Sequence, residues 1–396
     1  MGLIGSAALR YLSKAYKNVV GIGPAEPPSF REHRGVFASH YDQARVTRVL
    51  DTDLVWATLA KRSIARYRQI EEQSGIEFYF EVGCLRAGDL QAHDIAASQR
   101  VGQDLNVQYE VLDPAALKNR YPFLRFESGY SGLFEPAEAG FINPRAMIAA
   151  QLQIAQLNGA DVVRQTVVEV NANDSHVSVK TDTGEEYQAK KVLVTAGAFT
   201  NCNRLLDNKL AYKAYGRTIL LAKLSKKMVQ DLASMPSILF RSKDGSSIYV
   251  MPPVWYPDGS YYVKIGGGII DADMQSLKDF EEFFHTDGSA QTAKRLQEIL
   301  ESLLPALNPV SYSTSTCVVA LTESDRPYVD VVVPSRAYVA TGGCGAAAKS
   351  ADEIGRLAAL LTATEMWQDS LEASNFTNRY LQPAQSSGSC AHSEPC

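Results

Sequence analysis

At 396 residues the chain is long for one hydrophobic core, and two intimately joined domains are expected. Its composition, 45% hydrophobic and 21% charged, is that of a globular protein, and a net charge of -5 with no basic run argues against a nucleic-acid partner. No apolar stretch reaches the ~18 residues of a membrane span and no signal-peptide pattern is visible, so a cytoplasmic location is expected, with a targeting segment ahead of Met1 left open.

The first residues, Gly2-Leu3-Ile4-Gly5-Ser6-Ala7-Ala8, read as the last two glycines of a G-x-G-x-x-G turn whose first glycine and preceding strand are not in the sequence. In a dinucleotide-binding fold such glycines let the backbone approach a pyrophosphate, which then sits at the positive end of the next helix. That helix is predicted over 6–15, with a second strand at Val19–Gly23. The acidic residue expected at the end of that strand, about 20 residues past the glycines, is replaced by Gly23 and Pro24, with Glu26 the nearest carboxylate.

Residues 24–35 form a Pro-rich, charged loop, after which Thr52-Asp53 caps a long amphipathic helix ending at Gly75. A strand is predicted over 76–85 and loop-rich chain to Gly140. Asn143-Pro144 starts another helix that Gly159 stops. Strands follow at 162–170, 176–181 and 191–196, the last running into Ala196-Gly197-Ala198 as a ligand-facing turn. Between Tyr212 and Cys317 lie further strands, including 247–251 and 261–266, and a charged helix over 277–304. A buried strand at 337–341, a Gly/Ala loop at 342–348 and a helix over 350–367 complete the pattern; the polar tail 383–396 is expected to be disordered.

The six cysteines lack C-x-x-C spacing and the six histidines lack any H-x-x-x-H pairing, so no metal site and no disulfide framework are expected, and a reducing compartment fits. Arg45 and Arg48, three residues apart, can point at one region if they lie on a turn or helix start. A guanidinium fork there would grip a carboxylate with two parallel hydrogen bonds. The alternative is a pair of surface arginines bound to Asp42 and Asp51. Lys264, alternating out of a strand, reads on its own as a solvated edge residue, and Cys317 beside Val318 and Val319 as inert packing.

Four segments change that reading: GLIGSAALRYL; ASHYDQARVTR with the long helix and SGIEFYFEVGCL; KVLVTAGAFTN; and CVVALTESDRPYVD with YVATGGCGAAAKSADEIG. In order and spacing they resemble the sarcosine oxidase and N-methyltryptophan oxidase group of the D-amino-acid-oxidase-like flavoproteins, over nearly the whole chain. The resemblance implies an α/β (α+β) fold, with a discontinuous Rossmann-like FAD-binding domain (1–75, 141–211, 317–382) and an inserted β-rich substrate domain (76–140, 212–316). It implies an FAD-dependent oxidase, expected as a monomer, acting on an N-methyl or other amino acid with O2 as the electron acceptor. An electron-carrier-linked dehydrogenase and a flavin-free protein are the alternatives.

The same resemblance assigns residues. Ser39, His40, Arg45 and Arg48 match the family's S-S-H-G-D-x-R-x-x-R stretch against the flavin, with one extra residue between His40 and Arg45. Cys317 stands where these oxidases carry a cysteine bonded to the flavin, noncovalent FAD being the alternative. Lys264 matches a lysine that promotes the oxygen reaction, and Lys349 one at the substrate and flavin edge. Tyr249 would line the substrate pocket. Gly343, Gly345 and Ala347 belong to the loop facing the flavin pyrimidine, while Gly2, Gly5, Val168, Ala196 and Gly197 would hold the rest of the cofactor. Gly266-Gly267-Gly268 departs from the aromatic and histidine residues that the family places after its lysine, which leaves the substrate open.

Overall fold

The computed structural model describes residues 1–242 and 244–382; the tail expected to be disordered lies outside them. Its first helix, Leu3–Ala15, packs small residues against the helix Ala351–Thr364, where a Cβ on Gly355 would lie 2.6 Å from Ala7 Cβ. A larger side chain there would push the two helices apart. Asp352 on the later helix accepts from Arg10 at 2.7 Å and from Arg66 at 2.6 Å, so one buried carboxylate ties three helices together. The third of these is Leu54–Ser74, whose N-terminus is capped as expected by the Asp53 side chain accepting from Trp56 N.

The parallel strands form two separate groups. Val20–Ile22 pairs with Asp161–Val163, and Val192–Val194 pairs with Ala337–Thr341, which also takes Tyr328–Val333 antiparallel. No hydrogen-bonded ladder joins the two groups among the described residues. The N-terminus of the first helix lies between them: Met1 touches the Gly21 and Gly23 positions, and Gly5 lies against Thr195.

The second half of the molecule is one large mixed sheet in which Tyr212–Lys223, Ser260–Gly267, Ser247–Tyr256, Ser237–Arg241, Cys84–Gly88 and Ser131–Glu135 are successive neighbours, with Ser311–Thr322 along the first strand. One face is apolar: Leu85, Leu220, Ile238, Val250, Val263 and Ile265 bury beneath Leu296, Leu300 and Leu303 of the helix Ala290–Leu303. Burying each such side chain is worth about 1.5–3 kcal/mol, which fixes which face is left for chemistry.

Four sequence expectations are corrected, the first being that the stretch expected to be loop-rich up to Gly140 carries the helices His93–Asp104 and Pro114–Arg120. The strand over 76–85 is two short strands, Tyr79–Phe80 and Cys84–Gly88, in different sheets; Gly83 breaks them apart. The strand over 162–170 divides into Asp161–Val163 and Val167–Ala172. The helix over 277–304 is two helices, Leu277–Phe284 and Ala290–Leu303, because Gly288 turns the chain with φ of 81°.

Candidate active site

Residues directly opposed across a ladder share a face of the sheet, and so do residues two apart on one strand. Arg217 opposes Cys317, Lys264 opposes Leu221 and Met251, and Tyr249 opposes Gly266 on one side and Leu239 on the other. Leu239 opposes Arg86, and Glu135 opposes Cys84, two residues before Arg86. Cys317, Arg217, Lys264, Tyr249, Arg86 and Glu135 therefore all rise from the face opposite the apolar core. Only the first, third and fourth of these are marked in the sequence.

Lys264 is not an edge residue. Its strand lies inside the sheet and the side chain is 0% exposed, with Nζ 2.6 Å from Asp42 Oδ2 and 2.5 Å from Ala44 O. Burial, and next the charge of Arg45, pull its proton affinity well below that of a free lysine, while Asp42 opposes them. Asp42 also accepts from Gln43 N, Tyr256 Oη and the Arg45 guanidinium, and Arg45 donates to Ser39 O at 2.8 Å. The ring of Tyr249 lies 5.2 Å from Lys264 Nζ. Its hydroxyl fills the space a Cβ on Gly266 would need, which accounts for the first glycine of the triplet. Burial drives the Tyr249 pKa upward, so the phenol stays protonated.

Arg48 belongs to a second group. Arg48 Nη2 and Lys349 Nζ each lie 3.2 Å from Asp51 Oδ2, and Lys349 is 2% exposed beneath Trp56. Burial raises the Asp51 pKa, but Lys349, Arg48 and Arg86 outweigh it and hold the carboxyl well below the usual range. Glu135 takes backbone N–H bonds from Val49 at 2.7 Å and Leu50 at 3.0 Å, so it fixes the chain immediately after Arg48. Burial pushes its own pKa up to about 7 against those two bonds. The expectation that Arg45 and Arg48 converge is corrected: Arg45–Thr47 is a strand, and extended chain sends the two guanidinium groups to different carboxylates. Both aspartates proposed as their partners are indeed bound, yet the pairs are shielded from water rather than on the surface.

Cys317 is half-buried, a free thiol across the ladder from Arg217, whose Nε is buried with no partner. Arg217 Nη1 lies 3.8 Å from where Gly345 would carry a Cβ, so the 342–348 loop meets the sheet face there. Within that loop Gly343 would bring a Cβ 2.8 Å from Ala347. Ser39 Oγ donates to Val318 O at 3.0 Å, placing the 39–48 segment along the same edge.

At the other end, Gly2 caps the first helix, and a Cβ on Gly5 would lie 2.5 Å from Thr195 Oγ1, beside Ala196 and Gly197. Val168 is half-buried on Val167–Ala172 and accepts from Arg204 N. His40 O accepts from Asp42 N at 2.7 Å. Burial first, then the Met1 amino group, Arg145, Arg45 and Arg164, lower the His40 pKa to about 3, so the ring is neutral. The glycine-opened end of the first helix suits a pyrophosphate. Glu26 does not take the ribose role left open for it: both oxygens bind Arg145, at 2.8 and 2.5 Å. The residues present therefore fit a flavin dinucleotide at its pyrophosphate and ring ends, through the glycine approaches and the unpartnered Arg217.

A glycine-opened helix between parallel strands, joined to a mixed sheet that offers a charged face to it, defines a two-part dinucleotide-binding oxidoreductase. The chain belongs to the FAD dependent oxidoreductase family, which it matches over residues 1–361. Peroxisomal sarcosine oxidase of Mus musculus is 26% identical over 200 residues, 50% of this chain and 49% of the relative. N-methyl-L-tryptophan oxidase of Yersinia pestis is also 26% identical over 200 residues, 50% and 52%. The chain spans about half the length of the curated relatives it matches. Among solved structures, NikD, an unusual amino acid oxidase essential for nikkomycin biosynthesis, superposes with a TM-score of 0.76 at 22% identity over 96% of each chain. L-proline dehydrogenase from P. horikoshii does so at 0.74 and 17% identity, over 95% and 94%. At these identities the likeness establishes the fold. No described helix is long and apolar enough to cross a membrane, and no described cluster of His, Cys, Asp and Glu could hold a metal ion.

Proposed function

We propose that the protein is an FAD-dependent oxidase of an amino acid, with an N-methylated one favoured, and that O2 is its electron acceptor. The substrate loses two electrons and two protons to become an imine, which water hydrolyses, and O2 gains them as hydrogen peroxide. FAD, when bound, supplies the two-electron relay between them. The carrying observation is that Cys317, Tyr249 and Lys264 share one charged sheet face with the Arg48 and Lys349 group at its far end.

In this reading Arg48 and Lys349 bind the substrate carboxylate, replacing part of their contact with Asp51. Tyr249 walls the pocket beside the reacting carbon. Lys264, held by Asp42, presents a cation where O2 gains negative charge, a role that a buried positive group fills at low reorganisation cost. Cys317 tethers the flavin ring. Gly343 and Gly345 offer backbone N–H groups to the pyrimidine, in the loop that Ala347 N closes by donating to Gly343 O; Ser39, His40 and Arg45 flank the ring, and Gly2, Gly5, Val168, Ala196 and Gly197 line the remainder. The domain division expected from sequence assigns the cofactor to 1–75, 141–211 and 317–382 and the substrate to 76–140 and 212–316.

The test is absorbance of the purified protein in the flavin bands, followed by turnover of N-methyl amino acids with peroxide measured. Flavin with peroxide supports the reading. Flavin that is reduced by amine without peroxide makes the protein a dehydrogenase, and absence of flavin overturns both.

A further inference from the structure

Arg86 sits on the charged sheet face with Tyr249 and Lys264, and nothing in the reaction proposed above uses it. Its side chain is 13% exposed, and its Nε is buried without a hydrogen-bond partner. The nearest carboxylate, Asp94, is 3.9 Å from Nη1, beyond hydrogen-bond reach, and lies closer to Arg241, at 3.2 Å. Arg48 Nε is likewise buried and unpartnered. The charges of both arginines and of Lys349 act on one carboxylate, Asp51, whose ion pairs are with Arg48 and Lys349 and whose other oxygen accepts from Thr52 N. The other carboxylate of the group, Glu135, has both oxygens taken by backbone N–H.

A single substrate carboxylate at Arg48 and Lys349 leaves the Arg86 fork unsatisfied. A buried guanidinium whose carboxylate lies beyond hydrogen-bond reach is poorly compensated, and it is best satisfied by two parallel bonds to a second carboxylate. We propose that Arg86 is a specificity-determining residue that binds a second carboxylate, so that the site takes amino acids bearing two carboxylate groups. Burial, and next the charge of Arg48, lower the Arg86 pKa against the opposing effect of Asp51 and Asp94, and an incoming anion adds to that opposing effect. The proposal rests on the reading of Arg48 and Lys349 as the site of the first carboxylate.

The experiment is calorimetric titration of the holoprotein at pH 7.5 with glutarate and with valerate, which have the same carbon count and differ by one carboxylate. Glutarate is expected to bind about tenfold more tightly or better. In Arg86→Gln the ratio falls to near one, and Arg86→Lys, which keeps a point charge and guards against a folding defect in the first variant, retains part of it. Equal affinity of the two ligands in the unaltered protein, or a preference that survives Arg86→Gln, overturns the assignment while valerate binding still marks the first carboxylate site. If Arg48→Lys leaves both affinities unchanged, the first site falls and the second with it.

Discussion

Lys264 and Asp42 form an ion pair at 2.6 Å with the lysine wholly excluded from water and the aspartate 5% exposed. The pair spans the two halves of the molecule: Lys264 rises from the large sheet, while Asp42 sits on the segment that leads into the Arg45–Thr47 strand. A buried ion pair is weak evidence for stability, since desolvation offsets most of the attraction. Its value here is positional, because Asp42 and Ala44 O fix Nζ beside Tyr249.

Lys264→Met is therefore expected to slow the oxygen half-reaction at least about a hundredfold while slowing reduction by amine far less, since removal of one preorganised charge donor typically costs about 10²–10³ in rate. Stopped-flow traces of the two half-reactions separate them, and equal slowing makes the residue structural. Asp42 keeps its bonds to Gln43 N, Tyr256 Oη and Arg45. The variant should thus lose less than the ~3–5 kcal/mol expected when a buried charge is stranded.

Arg48→Lys should weaken amino-acid binding about tenfold and leave flavin content unchanged, because a point charge cannot reproduce bidentate geometry. Asp51 retains Lys349 at 3.2 Å, so the loop after Arg48 stays in place. The readouts are KM for the amino acid and the ratio of flavin absorbance to protein; a fall in flavin content with unchanged KM moves Arg48 to the cofactor.

Much of this site was legible from local pattern, and the rest depends on register. The capped helix after Asp53, the buried strand at Ala337–Thr341 and the glycine loop that follows each carry their own signal in consecutive residues. Arg86, Arg217 and Glu135 do not. Their strands read as ordinary alternation, and which of the two alternating sets faces the site depends on pairings between strands as distant as Cys84–Gly88 and Ser237–Arg241. The divergence of Arg45 and Arg48 was hidden for a related reason: spacing of three suggests one face only on a helix, and this segment is extended. Tyr249 explains Gly266 only once both are seen on facing strands.

Glu135 makes stability depend on pH in a direction opposite to most acids. Its carboxyl is raised from 4.5 to about 7, mainly by burial. Between those values the folded protein holds a proton that the unfolded chain has released, so stability falls as pH rises through that window and is fully present below it. The span corresponds to about 3 kcal/mol at most. Glu135→Gln cannot ionise and should flatten the decline, although its amide also turns an N–H toward a backbone donor and lowers stability at every pH. Denaturant midpoints from pH 4.5 to 7.5 distinguish the two effects; an unchanged slope removes Glu135 as the source.

Cys317 yields a result that activity cannot imitate. It is a half-buried thiol on the charged face, across the ladder from Arg217, and is free of any disulfide among the described residues. A thioether to the flavin survives acid and denaturant, whereas noncovalent FAD depends on folded contacts and leaves once they are lost. Denatured holoprotein should keep its yellow colour, its intact mass should exceed that of the polypeptide by one FAD, and Cys317→Ser should lose both properties. Glu26, the carboxylate nearest the end of the second strand, is engaged by Arg145, and the tether then carries more of the retention. Cys317→Ser should accordingly release its flavin on gel filtration even when folded. Free FAD in the supernatant of the denatured unaltered protein would falsify the link and leave Cys317 as packing against the Arg217 strand.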